Sequence, residues 1–306
     1  MKKKILHTYI LMFGMMYSVH AQTDHLFLQQ TNNRSLVNPA TVGKGGDITA
    51  VAAVRQQWIG FPGPSTQALY VNGFVHDIRS GFGLSWVNDK FGPQRSNNIK
   101  LKYAHFVPFE DVAFFSMGLG MGVMNNVHDE SDFFARDPND EVLTMSVTSK
   151  IIPDFDFGFE FDTRYVEIGA AATHITYGYN DNNLLRPMRN FYVYSRVKVP
   201  IDPYWDFIPG ITWHNTRKLN TYEFNAAFRY NNNICVNLIY RNPASCGIAL
   251  GLNITGGFRV AYSYDYGLDN LSAYNDGSHE LTISYTVPSL TNYVKTKLRF
   301  FRWKMF

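Results

Sequence analysis

Phe258-Arg-Val-Ala-Tyr-Ser-Tyr-Asp-Tyr266, and after a polar loop Gly277-Ser-His-Glu-Leu-Thr-Ile-Ser-Tyr-Thr-Val287, alternate with a period of two. Phe258, Val260, Tyr262, Tyr264 and Tyr266 share one parity, and Arg259, Ala261, Ser263 and Asp265 the other. Leu281, Ile283, Tyr285 and Val287 likewise oppose Glu280, Thr282, Ser284 and Thr286. Successive side chains of a strand point to opposite faces, so each run has an aromatic or apolar face and a polar, partly charged one. A soluble sandwich has the same two faces. The decision rests on how often the pattern recurs.

It recurs through most of the chain. Tyr222, Phe224 and Phe228 oppose Glu223, Asn225 and Arg229, while Ile234, Val236, Leu238 and Tyr240 oppose Cys235, Asn237 and Arg241, with Ile239 as an exception. Ile99, Leu101 and Tyr103 oppose Lys100 and Lys102, and Val193, Ser195, Val197 and Val199 oppose Tyr192, Tyr194, Arg196 and Lys198. Candidate strands fall at 48–57, 65–75, 81–88, 97–107, 112–124, 154–161, 165–174, 190–199, 205–213, 221–230, 233–242, 245–253, 258–266 and 279–287. Burying so many charges in a dry sandwich core is prohibitive, and wetting the apolar faces is equally poor. Lipid outside and a polar lumen inside satisfy both. The sequence therefore predicts an all-β fold, an antiparallel outer-membrane β-barrel of about 14 strands over residues 48–287.

The links add independent support. Longer ones (58–64, 89–96, 125–153, 175–189, 214–220, 267–278) alternate with tight ones (76–80, 108–111, 162–164, 200–204, 231–232, 254–257), apart from a short 242–244. Outer-membrane barrels have short periplasmic turns, longer outer loops and, for an even strand count, both termini inside.

Composition agrees. Mean hydropathy is −0.19, yet aromatic residues make up 16%, as in a barrel whose lipid and lumen faces average out. A net charge of +3 is too small to imply nucleic acid. Met-Lys-Lys-Lys, an apolar run from Ile5 to Val19 and the Val19-His20-Ala21 site read as a signal peptide over 1–21, with Gln22 as the mature N-terminus. Residues 22–47 read as an extended periplasmic segment, and 288–306 as a basic aromatic tail. Cys235 and Cys246 fall on opposite strand faces, so no disulfide is expected.

Catalytic motifs are lacking. The nine histidines form no His-Glu-x-x-His, Gly43-Lys44-Gly45-Gly46 lacks phosphate-loop spacing, and no Gly-x-Ser-x-Gly occurs. No enzyme activity, cofactor or metal is expected. The acidic residues from Asp129 to Glu141 read as a solvated loop rather than a Ca²⁺ site, since their spacing fits no loop motif. The lumen is expected to be lined by Lys100, Lys102, Arg196, Lys198, Glu223, Arg229, Arg241, Arg259, Asp265 and Glu280, either as a selective pore or as ion pairs filling a small interior. A plug made by the N-terminal segment is a further option.

Leu36-Val-Asn-Pro-Ala-Thr-Val-Gly43, Arg55-Gln-Gln-Trp-Ile-Gly-Phe-Pro-Gly-Pro-Ser-Thr-Gln67, Gly81-Phe-Gly-Leu-Ser-Trp-Val-Asn-Asp-Lys-Phe-Gly-Pro93, Tyr264-Asp-Tyr and Gly277-Ser-His-Glu280 resemble, in order, signatures of the PorP/SprF family of Bacteroidota outer-membrane proteins. The basic tail extends past where such members usually stop. The resemblance implies a non-enzymatic barrel of type IX secretion and gliding motility. It implies as partners a periplasmic ring lipoprotein, its soluble partner and a large secreted or surface cargo, with the chain held in outer-membrane lipid. Candidate partner-facing residues are Arg55, Trp58, Phe61, Asn88, Asp89 and Lys90 at the outer end, and Lys295, Lys297, Arg299, Arg302 and Trp303 in the tail. An outer-membrane pore for small solutes is the competing reading.

Overall fold

The computed structural model describes residues 27–29, 33–109, 112–129, 147–176, 187–216, 219–242 and 245–287. A four-residue helix, α1 (Arg34–Val37), and a 3-10 turn (Pro39–Thr41) precede the strands. The strands are β1 (Ile48–Gln56), β2 (Ser65–Val75), β3 (Ser80–Phe91), β4 (Gln94–Phe109), β5 (Ala113–Asp129), β6 (Val147–Thr163), β7 (Val166–Thr173) and β8 (Asn190–Val197). After a two-residue β9 (Val199–Pro200) come β10 (Trp205–Thr216), β11 (Leu219–Tyr230), β12 (Ile234–Asn242), β13 (Ser245–Asn253), β14 (Phe258–Gly267) and β15 (Ser278–Val287). Every neighbouring pair is antiparallel, and β15 pairs with β1, Ile48 opposite Val287 and Gln56 opposite His279, so the sheet closes on itself. β9 prolongs β8 along β10, which leaves 14 staves. Closure matters because lipid offers no partner to a free backbone N–H or C=O.

The alternation read from the sequence is the alternation of the wall. Leu101, Leu119, Met121 and Leu84 are all more than half exposed, while Lys100 and Lys102, which flank Leu101, are buried. In β14 and β15, Tyr262, Tyr266, Leu281 and Tyr285 face out, and Ser263, Asp265, Glu280 and Thr282 face in. Cys235 is buried on the lumen side and Cys246 exposed on the lipid side. Among the described residues no helix is long and apolar enough to cross a membrane; the strands cross it.

Three features differ from the sequence expectation. Residues 89–96, read as a loop, form a hairpin with a two-residue turn, because β3 runs to Phe91 and β4 starts at Gln94. Asn88, Asp89 and Lys90 look like turn formers, but paired backbones and cross-strand bonds keep them extended: Asn88 donates to Asn97 at 2.7 Å and Thr66 to Asp89 at 2.5 Å. Likewise β5 and β6 run 17 residues each, beyond the span a bilayer needs, so strand takes up both ends of the 125–153 link. The acidic residues of that link from Glu130 onward lie outside the described residues.

The larger difference concerns the segment expected as an extended periplasmic piece. Its described residues sit inside the barrel. Phe27, Leu28, Gln29, Asn33, Asn38, Ala40 and Val42 are each at least nine-tenths buried.

Candidate functional site

The lumen is filled by the chain's own N-terminal segment, and two anchors hold it. Near the end carrying the long loops, the backbone N–H groups of Leu28 and Gln29 donate to the Glu280 carboxylate at 2.6 and 3.2 Å. Glu280 also takes Arg55 at 3.3 Å, and Arg55 reaches Asp265 at 2.8 Å. The Leu28 side chain packs on Ile239 and Ala249. Ile239, the sequence's exception on a polar face, is thus an apolar wall position that meets an apolar residue of the segment.

The second anchor lies near the tight-turn end, and the Asn-Pro-Ala stretch builds it. Asn38 caps the 3-10 turn by accepting from the Ala40 N–H at 2.9 Å, and Pro39 suits the first turn because its missing N–H is not needed there. The Asn38 amide then donates to the Tyr194 hydroxyl at 2.8 Å and to the Phe159 carbonyl at 3.0 Å. Wall glycines make the room. A Cβ on Gly158 would overlap the Asn38 side-chain oxygen, one on Gly118 the Ala40 backbone, and one on Gly81 the Val42 carbonyl. Val42 closes against an apolar floor of Phe74, Ala104, Phe106 and Phe114.

Electrostatics concentrate at this anchor. Glu160, Asp162 and Glu167 bring carboxylate oxygens within 4.8 Å of one another, all buried. The Lys44 ammonium sits among them, 2.6 Å from Glu160 and 2.5 Å from Glu167, and also contacts Asp162. Arg34 pairs with Glu167 and stacks over the Tyr194 ring at 4.1 Å, while Arg196 reaches Glu167 at 2.7 Å. Burial, with Arg196 nearby, pulls the Arg34 guanidinium down to about 10, so it remains a cation at neutral pH. Three carboxylates so close need compensating positive charge, and here the Lys44, Arg34 and Arg196 side chains supply it.

The expected lumen residues can now be placed. Lys100 bonds Asp156 at 2.7 Å and Asp154 at 2.8 Å, and Lys102 donates to the Ser35 and Leu36 carbonyls of α1 at 2.5 and 2.9 Å. Arg241 pairs with Glu223 at 2.6 Å, and Asp206 receives Arg229 at 2.6 Å and Lys198 at 3.5 Å. Arg259 is half-buried. The partner-facing set divides. Phe61 and Lys90 are exposed, Asn88 and Asp89 half-buried, and half-buried Trp58 meets the Phe91 ring edge-on at 6.2 Å. Arg55 does not join them: it is buried in the wall, spent on Asp265 and Glu280. Lys295, Lys297, Arg299, Arg302 and Trp303 lie outside the described residues.

Sequence reasoning passed over Asp154, Asp156, Glu160 and Asp162. Their signal was present in Asp154-Phe-Asp-Phe-Gly-Phe-Glu-Phe-Asp162, where every even position faces in. Arg34 and Lys44 had none, since they lie in a turn-rich segment without periodicity.

These contacts make a direct test of the docking. Gly158→Ala places a methyl on the Asn38 side chain and is expected to loosen the segment while leaving the strands paired. Val42→Cys, made with Cys235→Ser and Cys246→Ser, should then react with a charged thiol reagent, and should stay unreactive with Gly158 intact. Equal reactivity in both would refute the docking.

Comparison with solved structures finds other outer-membrane proteins. Omp33 of Acinetobacter baumannii is 7% identical, covering 81% of this chain and 100% of that one, with a TM-score of 0.48. A Pseudomonas aeruginosa FadL homologue is 11% identical, covering 82% and 97%, with a TM-score of 0.43. KdgM porin is 6% identical, covering 78% and 99%, with a TM-score of 0.40. A search of curated proteins returns no match. The family model for "Type IX secretion system membrane protein PorP/SprF" matches residues 19–285, from before the lumenal segment to the last strand. With its inward-docked Asn-Pro-Ala segment and closed outer-membrane wall, the chain belongs to the PorP/SprF family of type IX secretion system membrane proteins.

Proposed function

We propose that this protein works in type IX secretion as a non-enzymatic barrel that acts through its two ends. One end meets a periplasmic ring lipoprotein and its soluble partner; the other assists export or surface retention of a large cargo. The observation that supports this reading is the occupied lumen. A barrel whose lumen holds its own chain at two anchors is a poor constitutive channel, which counts against a resting pore for small solutes and shifts the work to the rims. At the loop end, exposed Phe61, with Trp58 beside Phe91, offers an aromatic patch of the kind that anchors partners, and exposed Lys90 adds a charge beside it.

The test is purification of a tagged copy in mild detergent from its native outer membrane, with co-purifying proteins identified. Recovery of ring components or of a very large surface protein is expected, and Phe61→Ala combined with Lys90→Ala should reduce recovery of the cargo more than of the ring. A barrel recovered alone would overturn the reading.

A further inference from the structure

The way the segment is held says more than that the lumen is closed. Among the described residues, the barrel wall carries six cationic side chains and eight carboxylates at least nine-tenths buried. The segment supplies two further cations, Arg34 and Lys44, and both bind the Glu160, Asp162 and Glu167 cluster. At this level the charges balance, Glu160, Asp162 and Glu167 against Lys44, Arg34 and Arg196. With the segment withdrawn, three carboxylates near the tight-turn end would face Arg196 alone.

The contacts are of a reversible kind. Ion pairs and amide hydrogen bonds can be exchanged for water, and apolar packing is confined to a few groups such as Leu28 and Val42. Between the segment and the wall lies a cavity of about 60 Å³ bordered by Phe27, Leu36, Lys100 and His174, so the upper part is not close-packed.

The connection to the wall is built to turn. Gly43, Gly45 and Gly46 have φ of +77°, +106° and +80°, a region that residues with a Cβ rarely enter. Around Gly45 no atom lies within 4 Å of where a Cβ would be. Rotation at Gly45 and Gly46, just before β1, can move the segment without disturbing the ladder. A wall of this many strands is wider than the eight-stranded barrels that side chains alone fill.

We propose that residues 33–47 form a hinged gate, latched by Lys44 and Arg34 on Glu160, Asp162 and Glu167, whose withdrawal opens a cation-selective lumen. The released carboxylates become the selectivity element, as clustered acidic side chains do in cation channels. The proposal is independent of which proteins the rims contact; it requires only that something at the turn end displaces the latch.

The experiment records currents from the purified full-length chain in planar bilayers under a KCl gradient. The unmodified protein is expected to be almost silent. Lys44→Gln with Arg34→Gln should raise the open fraction about a hundredfold, the population shift expected when one side of a buried ion pair is removed. The reversal potential should then approach that of K⁺. Adding Glu160→Gln, Asp162→Asn and Glu167→Gln should abolish the cation preference while leaving the lumen conducting. Gly158→Ala reaches the open state by another route with every charge kept, so the test survives if the latch variant does not fold. Native strand content by circular dichroism is the entry condition for each variant. Folded variants as silent as the unmodified protein would overturn the gate. An opened lumen preferring anions would overturn the charge assignment, and free conduction by the unmodified protein would overturn the closed resting state.

Discussion

Replacing Lys100 by Met is expected to destabilise the barrel by about 3–5 kcal/mol, the usual cost of removing one partner from a buried ion pair. The Lys100 ammonium bonds Asp154 and Asp156 at 2.8 and 2.7 Å, and both carboxylates are essentially inaccessible. Methionine fills a similar volume but leaves two like charges facing each other on β6. The remaining partners are amides and the His174 ring: Asn98 donates to Asp154 at 2.7 Å, the His174 ring Nδ1 lies 2.9 Å from Asp154, and the His174 backbone N–H donates to Asp156 at 3.2 Å. Asp154→Asn with Asp156→Asn, added to Lys100→Met, should restore much of the loss, because the penalty comes from uncompensated charge rather than from lost packing. Urea unfolding in lipid vesicles measures both. A loss the double amide does not relieve would mean that Lys100 acts by packing.

The adjacent position obeys the opposite rule. Leu101→Arg is expected to cost about 2–4 kcal/mol in the same assay, the range for a cation on the lipid face near the bilayer midplane. Leu101 is 59% exposed and sits opposite Leu84 on β3 and Met121 on β5, themselves 51% and 57% exposed, so its surroundings are hydrocarbon. The cost should fall toward zero for the same substitution near the strand ends, for instance at Phe91. A uniform effect along the strand would argue that lipid does not surround this wall.

Lys100 and Leu101 also show why so much of the fold could be read from sequence. A barrel wall is two environments separated by one backbone, and a period of two maps straight onto it. Strand assignment from 48 to 287, the split between faces and the closed architecture follow from that mapping. The ends of strands do not. Asn88-Asp89-Lys90 has turn chemistry, and only pairing with Ser96, Asn97 and Arg95 across the hairpin keeps it in strand. The lumenal segment is harder still: its geometry comes from single contacts such as Asn38 on Tyr194 and Lys44 on Glu160, made between residues more than a hundred positions apart. Nothing local marks them. The wall left a trace in its inward glycines, since a glycine in a strand is a place where another backbone can come close, and Gly81, Gly118 and Gly158 each meet the segment. Arg55 shows the converse limit. A surface motif suggests contact with a partner, yet an odd register position in β1 turns the side chain inward to Asp265 and Glu280.

The account turns on the N-terminal segment lying in the lumen of its own barrel. A photoreactive amino acid at Leu36, irradiated in intact outer membranes and mapped by mass spectrometry, tests this most directly. Leu36 packs beside Phe27, Ala53, Ala68 and Val87, so adducts should fall within the same chain on β1, β2 and β3. Adducts on other proteins, or on lipid, with none on these strands would contradict it.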